Sequence, residues 1–515
     1  MTREDRDPDE SLNKGRPLPP APSSAATGAW PLAAVVLLAL ALRLFGLDAQ
    51  SLWVDEVVTW KGAQLPLGDL LSLRSYYAMA HSLYFAMMHG VLSVLGDGET
   101  VLRLPSVFFG AASVPLLYLI GKDWFGHRVG LAAALLLAAS PLHLYYSQEA
   151  RPYAAVVCFA LASMVCLNRV LEGRRRFRWQ VGFAVSFAAM LFCHPIALAF
   201  VLTIALQIVL AQERLKLAQV RGMLIGAGAA TAVLLLVLAA LPPIRPVPVE
   251  SRGVAALPYT VWAFSVGYSL GPSIRDLHAT EPMRVALQHA PLIASVLLLT
   301  GGLALLGAIG VGRESRVRLA ILLVWLVGPI GFVMVGAAVT GHPYNVRYVI
   351  PAFPAFLLLL ACGIESVRGN GAKAVAWTAV LAVCAVSLWN YFTSSAYAKD
   401  DYRSAVGAIA ARARPGELVL VSEAYTRIML DYYDPGPVHV VAFPLPQTGR
   451  DWERAQADLD RLTEGRTRLW LLLGRPERNR LGVRIPGYLD SRFEREADLS
   501  WSGTRLLLYH SPNGR

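Results

Sequence analysis

Two adjacent carboxylates, Asp55 and Glu56, end the stretch Ser51-Leu52-Trp53-Val54-Asp55-Glu56, directly after the first long apolar run at residues 30–47. A carboxylate where a membrane helix meets water costs free energy unless it is hydrated, paired or used. The bland alternative is a solvated acid that merely ends a helix. Further polar residues fall at comparable places: His81; Gln148, Glu149 and Arg151; His194; and Tyr344, Asn345, Arg347 and Tyr348. Arg347 carries the most information, because it falls on the side of the membrane where cations are scarce. Its plainer roles are an ion pair with Glu149 or an anchor at the headgroups. A guanidinium fork also suits phosphate. A carboxylate that takes the proton of an attacking hydroxyl, together with cations that receive a phosphate leaving group, makes a group-transfer site. Asp55 fits the base and Arg347 fits the phosphate.

The elements that must hold these residues are membrane helices. Of 515 residues, 55% are hydrophobic and only 16% charged, with mean hydropathy +0.47. That is too apolar for an ordinary soluble protein. The net charge of +11 does not imply nucleic acid as a partner. The basic residues cluster in short loops between apolar runs, which is the positive-inside pattern. The five cysteines (Cys158, Cys166, Cys193, Cys362 and Cys384) all lie within apolar runs and give neither a disulfide framework nor a metal spacing. A divalent cation, if one is used, would be shared by Asp55 and Glu149.

Residues 1–29 are polar and Pro-, Ser- and Ala-rich, and read as a disordered cytoplasmic arm. The cluster Arg174-Arg175-Arg176-Phe177-Arg178 fixes the cytoplasmic side. Spans are then expected at 30–47, 101–121, 129–145, 153–171, 222–242, 289–311, 319–340, 348–367 and 374–392. Two short spans across 179–211 meet at His194-Pro195, where proline interrupts the helix. The total is about eleven helical spans. The short piece 82–95 is expected to lie flat or re-entrant on the outer side, and 243–288 to form a long outer loop. From residue 396 the runs shorten to strand length, at 417–421, 438–441, 469–473 and 506–509, with helical patterns around 402–413 and 451–463. The fold expected is thus mainly α: a polytopic membrane domain over 30–395, and a small C-terminal extra-cytoplasmic α/β domain over 396–515. This topology brings the polar stretches into one outer layer. A transporter or flippase would instead place such groups near the midplane and show repeated halves. Tyr145, Tyr146 and Tyr153 read as interfacial aromatics, His194 as a helix-break residue, and Glu149 with Arg151 as a local ion pair unless they serve the site.

Four motifs occur in order: Ser51-Leu52-Trp53-Val54-Asp55-Glu56; Arg103-Leu104-Pro105-Ser106; Ser140 to Tyr153, with Ser147-Gln148-Glu149-Ala150-Arg151-Pro152-Tyr153 at its end; and Arg347-Tyr348-Val349-Ile350-Pro351-Ala352-Phe353-Pro354. Together, over residues 30–395, they resemble the bacterial membrane glycosyltransferases of the GT-C fold. That group includes relatives of protein O-mannosyltransferases, of the lipid A aminoarabinose transferase and of rhizobial lipopolysaccharide galacturonosyltransferases. The resemblance implies an inverting transfer from a polyprenyl-phosphate sugar to a lipid, polysaccharide or protein hydroxyl, outside the bacterial cytoplasmic membrane. It implies Asp55 as base, Glu56 placing the acceptor, Glu149 lining the site and Arg347 binding the donor phosphate. His81, Arg151, Tyr344 and Tyr348 complete the substrate-binding set. One departure stands out: relatives carry His-Pro-Pro-Leu-Tyr where this chain has His81-Ser82-Leu83-Tyr84-Phe85.

Overall fold

The structure, a computed structural model, describes the chain except for residues 1–28, 71–80, 174–175, 211–216, 241–255, 279–281, 342–343, 423–425, 446–450, 476–479 and 513–515. The expected arm, all but its last residue, and the cytoplasmic markers Arg174 and Arg175 lie outside the described residues. The first part of the expected outer loop at 243–288 does so as well.

Among the described residues, seven helices are long and apolar enough to cross a bilayer: Glu99–Phe125, Tyr153–Leu171, Arg221–Ala239, Ala290–Glu314, Arg316–Thr340, Val346–Ser366 and Asn370–Thr393. Trp30–Leu44, Phe177–Cys193 and Pro195–Leu210 are shorter apolar helices. Every segment expected to span therefore falls on helix, and the chain is a multi-pass membrane protein. Small residues set the closest approach. Gly307 and Gly363 face each other's helix backbone between Ala290–Glu314 and Phe353–Ser366, where a Cβ would collide with Leu359 O or Leu303 O. Close packing at small residues is the usual way for helices to associate in lipid.

The span expected straight over 129–145 is instead two helices, His127–Ala139 and Pro141–Ser147, bent by 59°. Pro141 has no N–H to continue the ladder, and Ser140 caps the second piece by accepting from His143 N at 3.1 Å. The break frees carbonyls, and Arg43 collects them. Its Nη1 donates to Ala39 O and Ala138 O, and its Nη2 to Leu137 O. The break at His194 is also present: His194 Nδ1 accepts from Ile196 N ahead of the short 3-10 turn Pro195–Ala197. Residues 82–95 form the helix Ser82–Leu95, packed on helices Val54–Ala63 and Glu99–Phe125.

Beyond the spans lies a five-stranded sheet with β1 Leu418–Val421, β2 His439–Ala442, β3 Arg468–Gly474, β4 Glu494–Trp501 and β5 Thr504–His510, ordered β2-β1-β3-β5-β4. β1 runs parallel to β2 and β3, whereas β5 is antiparallel to β3 and β4. β4 escapes sequence reading because it is an exposed edge strand carrying Glu494, Arg495, Glu496 and Asp498. Such charge blunts an edge against foreign pairing and also hides it from a hydrophobic pattern. Helices Arg427–Tyr433 and Arg480–Asp490 were likewise not foreseen. The sheet unit is fastened to the loops of the membrane part. Tyr433 Oη accepts from Leu52 N at 2.8 Å, Lys61 pairs with Asp431 at 2.8 Å, and Arg403 Nε donates to Glu99 at 2.7 Å.

Candidate active site

The loop after the first helix becomes a short helix, Val54–Ala63, with Trp53 as its N-cap. Asp55 and Glu56 occupy its first turn, where the helix dipole favours negative charge. Their fates differ. Glu56 is fully buried. Its Oε1 accepts from Arg103 Nε at 2.8 Å and Ala150 N at 2.9 Å, and its Oε2 from Arg103 Nη2 at 3.0 Å, Lys399 Nζ at 3.1 Å and Trp53 N at 3.3 Å. Burial pushes its acid upward, but the charges of Arg103 and Lys399 outweigh this and hold it down at about 2. The structure thus places Glu56 inside the wall, with its oxygens held by protein donors, so any part it has in placing an acceptor is exerted through the turn it anchors.

The third motif explains itself residue by residue. Gln148 Nε2 donates to Leu42 O, Arg43 O and Phe45 O, closing the C-terminal end of the first helix. Ala150 N reaches Glu56, and Arg151 Nη1 lies 3.4 Å from both Asp55 O and Thr59 Oγ1. Arg103, from the Arg-Leu-Pro-Ser motif, also grips Leu47 O and Gln50 O at 2.6 and 2.9 Å. The motifs hold one another in place, with Asp55 left facing outward.

Arg347 comes from the 3-10 turn Val346–Ala352, which Asn345 caps by accepting from Arg347 N at 3.1 Å. Its Nη1 meets Asp55 Oδ2 at 2.7 Å, so its partner is Asp55 and not Glu149. Its Nη2 donates to Tyr348 Oη at 3.2 Å. Burial pushes Asp55 upward, yet Arg151 and Arg347 together bring its acid below the usual carboxylate range.

These groups border a cavity of about 440 Å³. Asp55, Glu149, Tyr344 and Arg347 line it, together with a tyrosine-rich wall of Tyr145, Tyr146, Tyr268 and Tyr391. Of the other expected residues, Arg151, His81 and Tyr348 stand behind the wall. His81 stacks on Phe85 at 5.5 Å and meets the His194 ring edge-on at 4.5 Å. Tyr344 Oη shares a 2.6 Å hydrogen bond with Thr260. Glu149 forms no ion pair with Arg151. Neither of its oxygens has a hydrogen-bond partner among the described residues. Burial, with the negative charges of Glu56 and Asp55 adding to it and Lys399 opposing, raises its acid to about 7. An unpaired carboxyl so placed is available to ligand hydroxyls.

Sequence reasoning missed Lys399, Asp400 and Arg475, which also line the cavity. Lys399 had a signal of the same kind as Arg347: a cation at the expected outer end of the last span. Arg475, at the end of β3 and paired with Asp400 at 2.7 Å, had none. Among the described residues no group of three or more His, Cys, Asp or Glu side chains is arranged to hold a metal ion.

The state of Glu149 yields a prediction. Its folded acid lies near 7 against an ordinary 4.5, so the folded protein binds the extra proton and loses stability as pH rises between those values. Glu149→Gln should therefore stabilise the protein at pH 8 by up to about 3 kcal/mol, an advantage that disappears below about pH 4.5. Thermal unfolding in detergent at the two pH values measures this; a shift independent of pH would contradict it.

Residues 82–241 match the family model of the dolichyl-phosphate-mannose-protein mannosyltransferases. No curated protein matches the chain by sequence. Among solved structures, ArnT from Cupriavidus metallidurans bound to undecaprenyl phosphate aligns over 94% of this chain and 98% of its own, with a TM-score of 0.57 at 14% identity. The Archaeoglobus fulgidus oligosaccharyltransferase in complex with Zn and sulfate aligns over 87% and 68%, with a TM-score of 0.54 at 12% identity. The arabinofuranosyltransferase AftD from Mycobacteria aligns over 94% and 40%, with a TM-score of 0.52 at 14% identity. At such identities the likeness is one of fold. The chain is a multi-pass membrane protein of the GT-C fold, the fold it shares with ArnT, and its residues 82–241 resemble the O-mannosyltransferase family model.

Proposed function

We propose that the protein is a membrane glycosyltransferase. It moves a sugar from a polyprenyl-phosphate donor to a hydroxyl of a lipid, polysaccharide or protein acceptor at the outer face of the bacterial cytoplasmic membrane. The observation that carries this reading is the meeting of Asp55 and Arg347 at 2.7 Å on the wall of one cavity. A proton acceptor and a phosphate-binding cation thus share one point. The membrane part at 30–395 holds this pair, and the outer domain at 396–515 closes the cavity.

In the proposed reaction Asp55 takes the proton as the acceptor oxygen attacks the anomeric carbon. The new C–O bond forms on the face opposite the breaking C–O bond to phosphate, so one displacement inverts the centre. The electron pair leaves on phosphate, whose charge rises from about one to about two negative units. That growing charge is what preorganised cations stabilise best. In the free protein Arg347 keeps Asp55 ionised but weakly basic. A donor phosphate sharing Arg347 loosens that hold and makes Asp55 a better base. Glu149 accepts hydrogen bonds from ligand hydroxyls, and Glu56 fixes the turn that aims Asp55.

The test is consumption of a panel of radiolabelled polyprenyl-phosphate sugars by purified protein with a membrane lipid extract. Label should leave one donor, and Arg347→Gln should slow that loss by about 10²-fold or more. If every donor survives intact while crossing the membrane, the protein moves such lipids and does not cleave them.

A further inference from the structure

Two cations on the cavity wall have no part in the reaction above: Arg275, from the short helix Ile274–His278, and Arg475, directly after β3. Neither is carried by a span, whereas Arg347 lies in the segment Val346–Ser366, which is long enough to cross the bilayer. Both are held in place. Arg475 has a φ of 46°, in the left-handed region that costs free energy for any residue but glycine. Its N–H donates to Gly503 O at 2.9 Å, and its Nε donates to Asp400 Oδ2 at 2.7 Å. Asp400 can lie there because residue 503 is glycine; a Cβ at that position would collide with Asp400 Oδ1. Arg275 is tied to the same strap and hairpin. Its Nη2 donates to Ser395 O at 2.8 Å, Ala398 O at 3.0 Å and Ser502 Oγ at 2.7 Å.

The charges around the cavity do not cancel. Asp55 meets Arg347, Asp400 meets Arg475, and Lys399 meets Glu56 behind the wall. Glu149, the other lining acid, pairs with none of them. The partners of Arg275 are carbonyls and a hydroxyl, so its charge meets no carboxylate among the described residues. Stitching the strap to the loop would explain its Nη2 alone and leaves Nε and Nη1 without an acceptor among the described residues. The same cavity carries the faces of Tyr145, Tyr268 and Tyr391. Aromatic faces suit the C–H face of a sugar ring, and a few placed polar groups then fix its orientation.

We infer that Arg275 and Arg475 form a subsite that reads an anionic group on the acceptor, and that the acceptor is an acidic saccharide. The inference rests on the transferase reading above and names the acceptor class that reading leaves open. The anionic group is a phosphate or a carboxylate, which a guanidinium fork takes equally well. It stands on the sugar beside the hydroxyl that attacks and is not itself the nucleophile. Arg475 belongs to the outer domain, so that domain selects the acceptor while the spans hold the donor.

The experiment measures binding to the purified protein in lipid nanodiscs by saturation-transfer NMR. The probes are cellotriose, the same trisaccharide carrying a phosphate, and the same trisaccharide with its primary alcohols oxidised to carboxylates. Undecaprenyl phosphate binding is followed in parallel by native mass spectrometry. Wild type should bind at least one charged probe about tenfold or more tightly than cellotriose, as expected for charge-assisted hydrogen bonds. Which charged probe gains shows whether the group read is phosphate or carboxylate. Arg275→Gln and Arg475→Gln, on separate elements, should each remove most of that preference and leave cellotriose and undecaprenyl phosphate bound as before. Equal binding of all probes by wild type would overturn the inference. So would an equal loss on neutral and charged probes in both variants, which would make the arginines structural. A loss on undecaprenyl phosphate in either variant would assign the cations to the donor and overturn the inference while leaving the donor reading standing. A wild type that prefers a charged probe yet does not bind undecaprenyl phosphate would remove the donor reading and not this subsite.

Discussion

Asp55→Asn should lower sugar transfer by about 10²- to 10⁴-fold, the range for loss of a positioned general base. The change is nearly isosteric. An asparagine oxygen still accepts from Arg347 where Asp55 does so at 2.7 Å, so fold and membrane insertion should persist. Donor binding should hold or tighten, because a negative charge beside the phosphate is gone. The result to look for is therefore a fall in kcat without a matching rise in the apparent donor constant, in membranes holding equal amounts of protein. Full transfer by the variant would remove Asp55 from the chemistry.

The second large effect concerns stability. Arg103→Leu leaves Glu56 buried with Lys399 as its remaining cationic partner. Breaking a buried ion pair from one side costs about 3–5 kcal/mol, and the variant should unfold correspondingly earlier in detergent. A loss under about 0.5 kcal/mol would mean that the cluster is not holding the loop. The same cluster sets an acid limit. Glu56 titrates near 2 in the folded protein against an ordinary 4.5, so its contribution is complete above about pH 4.5 and is lost as pH falls from there towards 2. Wild type should show that acid-dependent loss, and Arg103→Leu should show much less of it.

The spans were legible because lipid imposes one rule on every segment: long apolar runs that close their own hydrogen bonds. The bend at Ser140 was not, since Pro141 sits in a run whose composition alone reads as a single span. Asp55 and Arg347 stood out as charges against the membrane's grain. Glu56 looked equivalent to Asp55 because adjacent residues in sequence carry no mark of which faces a cavity; Arg103, some fifty positions later, decides it. Tyr153 looked like an interface tyrosine but is fully buried, because burial is not written in residue type. Arg475 and β4 lay beyond local pattern altogether, one placed by a sheet's topology and the other disguised by its charged edge.

The fastening of Lys399 to Glu56, and of Arg403 to Glu99, has a consequence for biosynthesis. The turn bearing Asp55 is synthesised more than three hundred residues before Lys399 and Arg403, which follow the helix Asn370–Thr393. A nascent chain halted before residue 399 would carry the carboxylate pair with Glu56 short of a cation. Such a chain should be recognisable to quality control as incomplete, and its carboxylate-bearing loop should settle only when the segment carrying Lys399 and Arg403 reaches it.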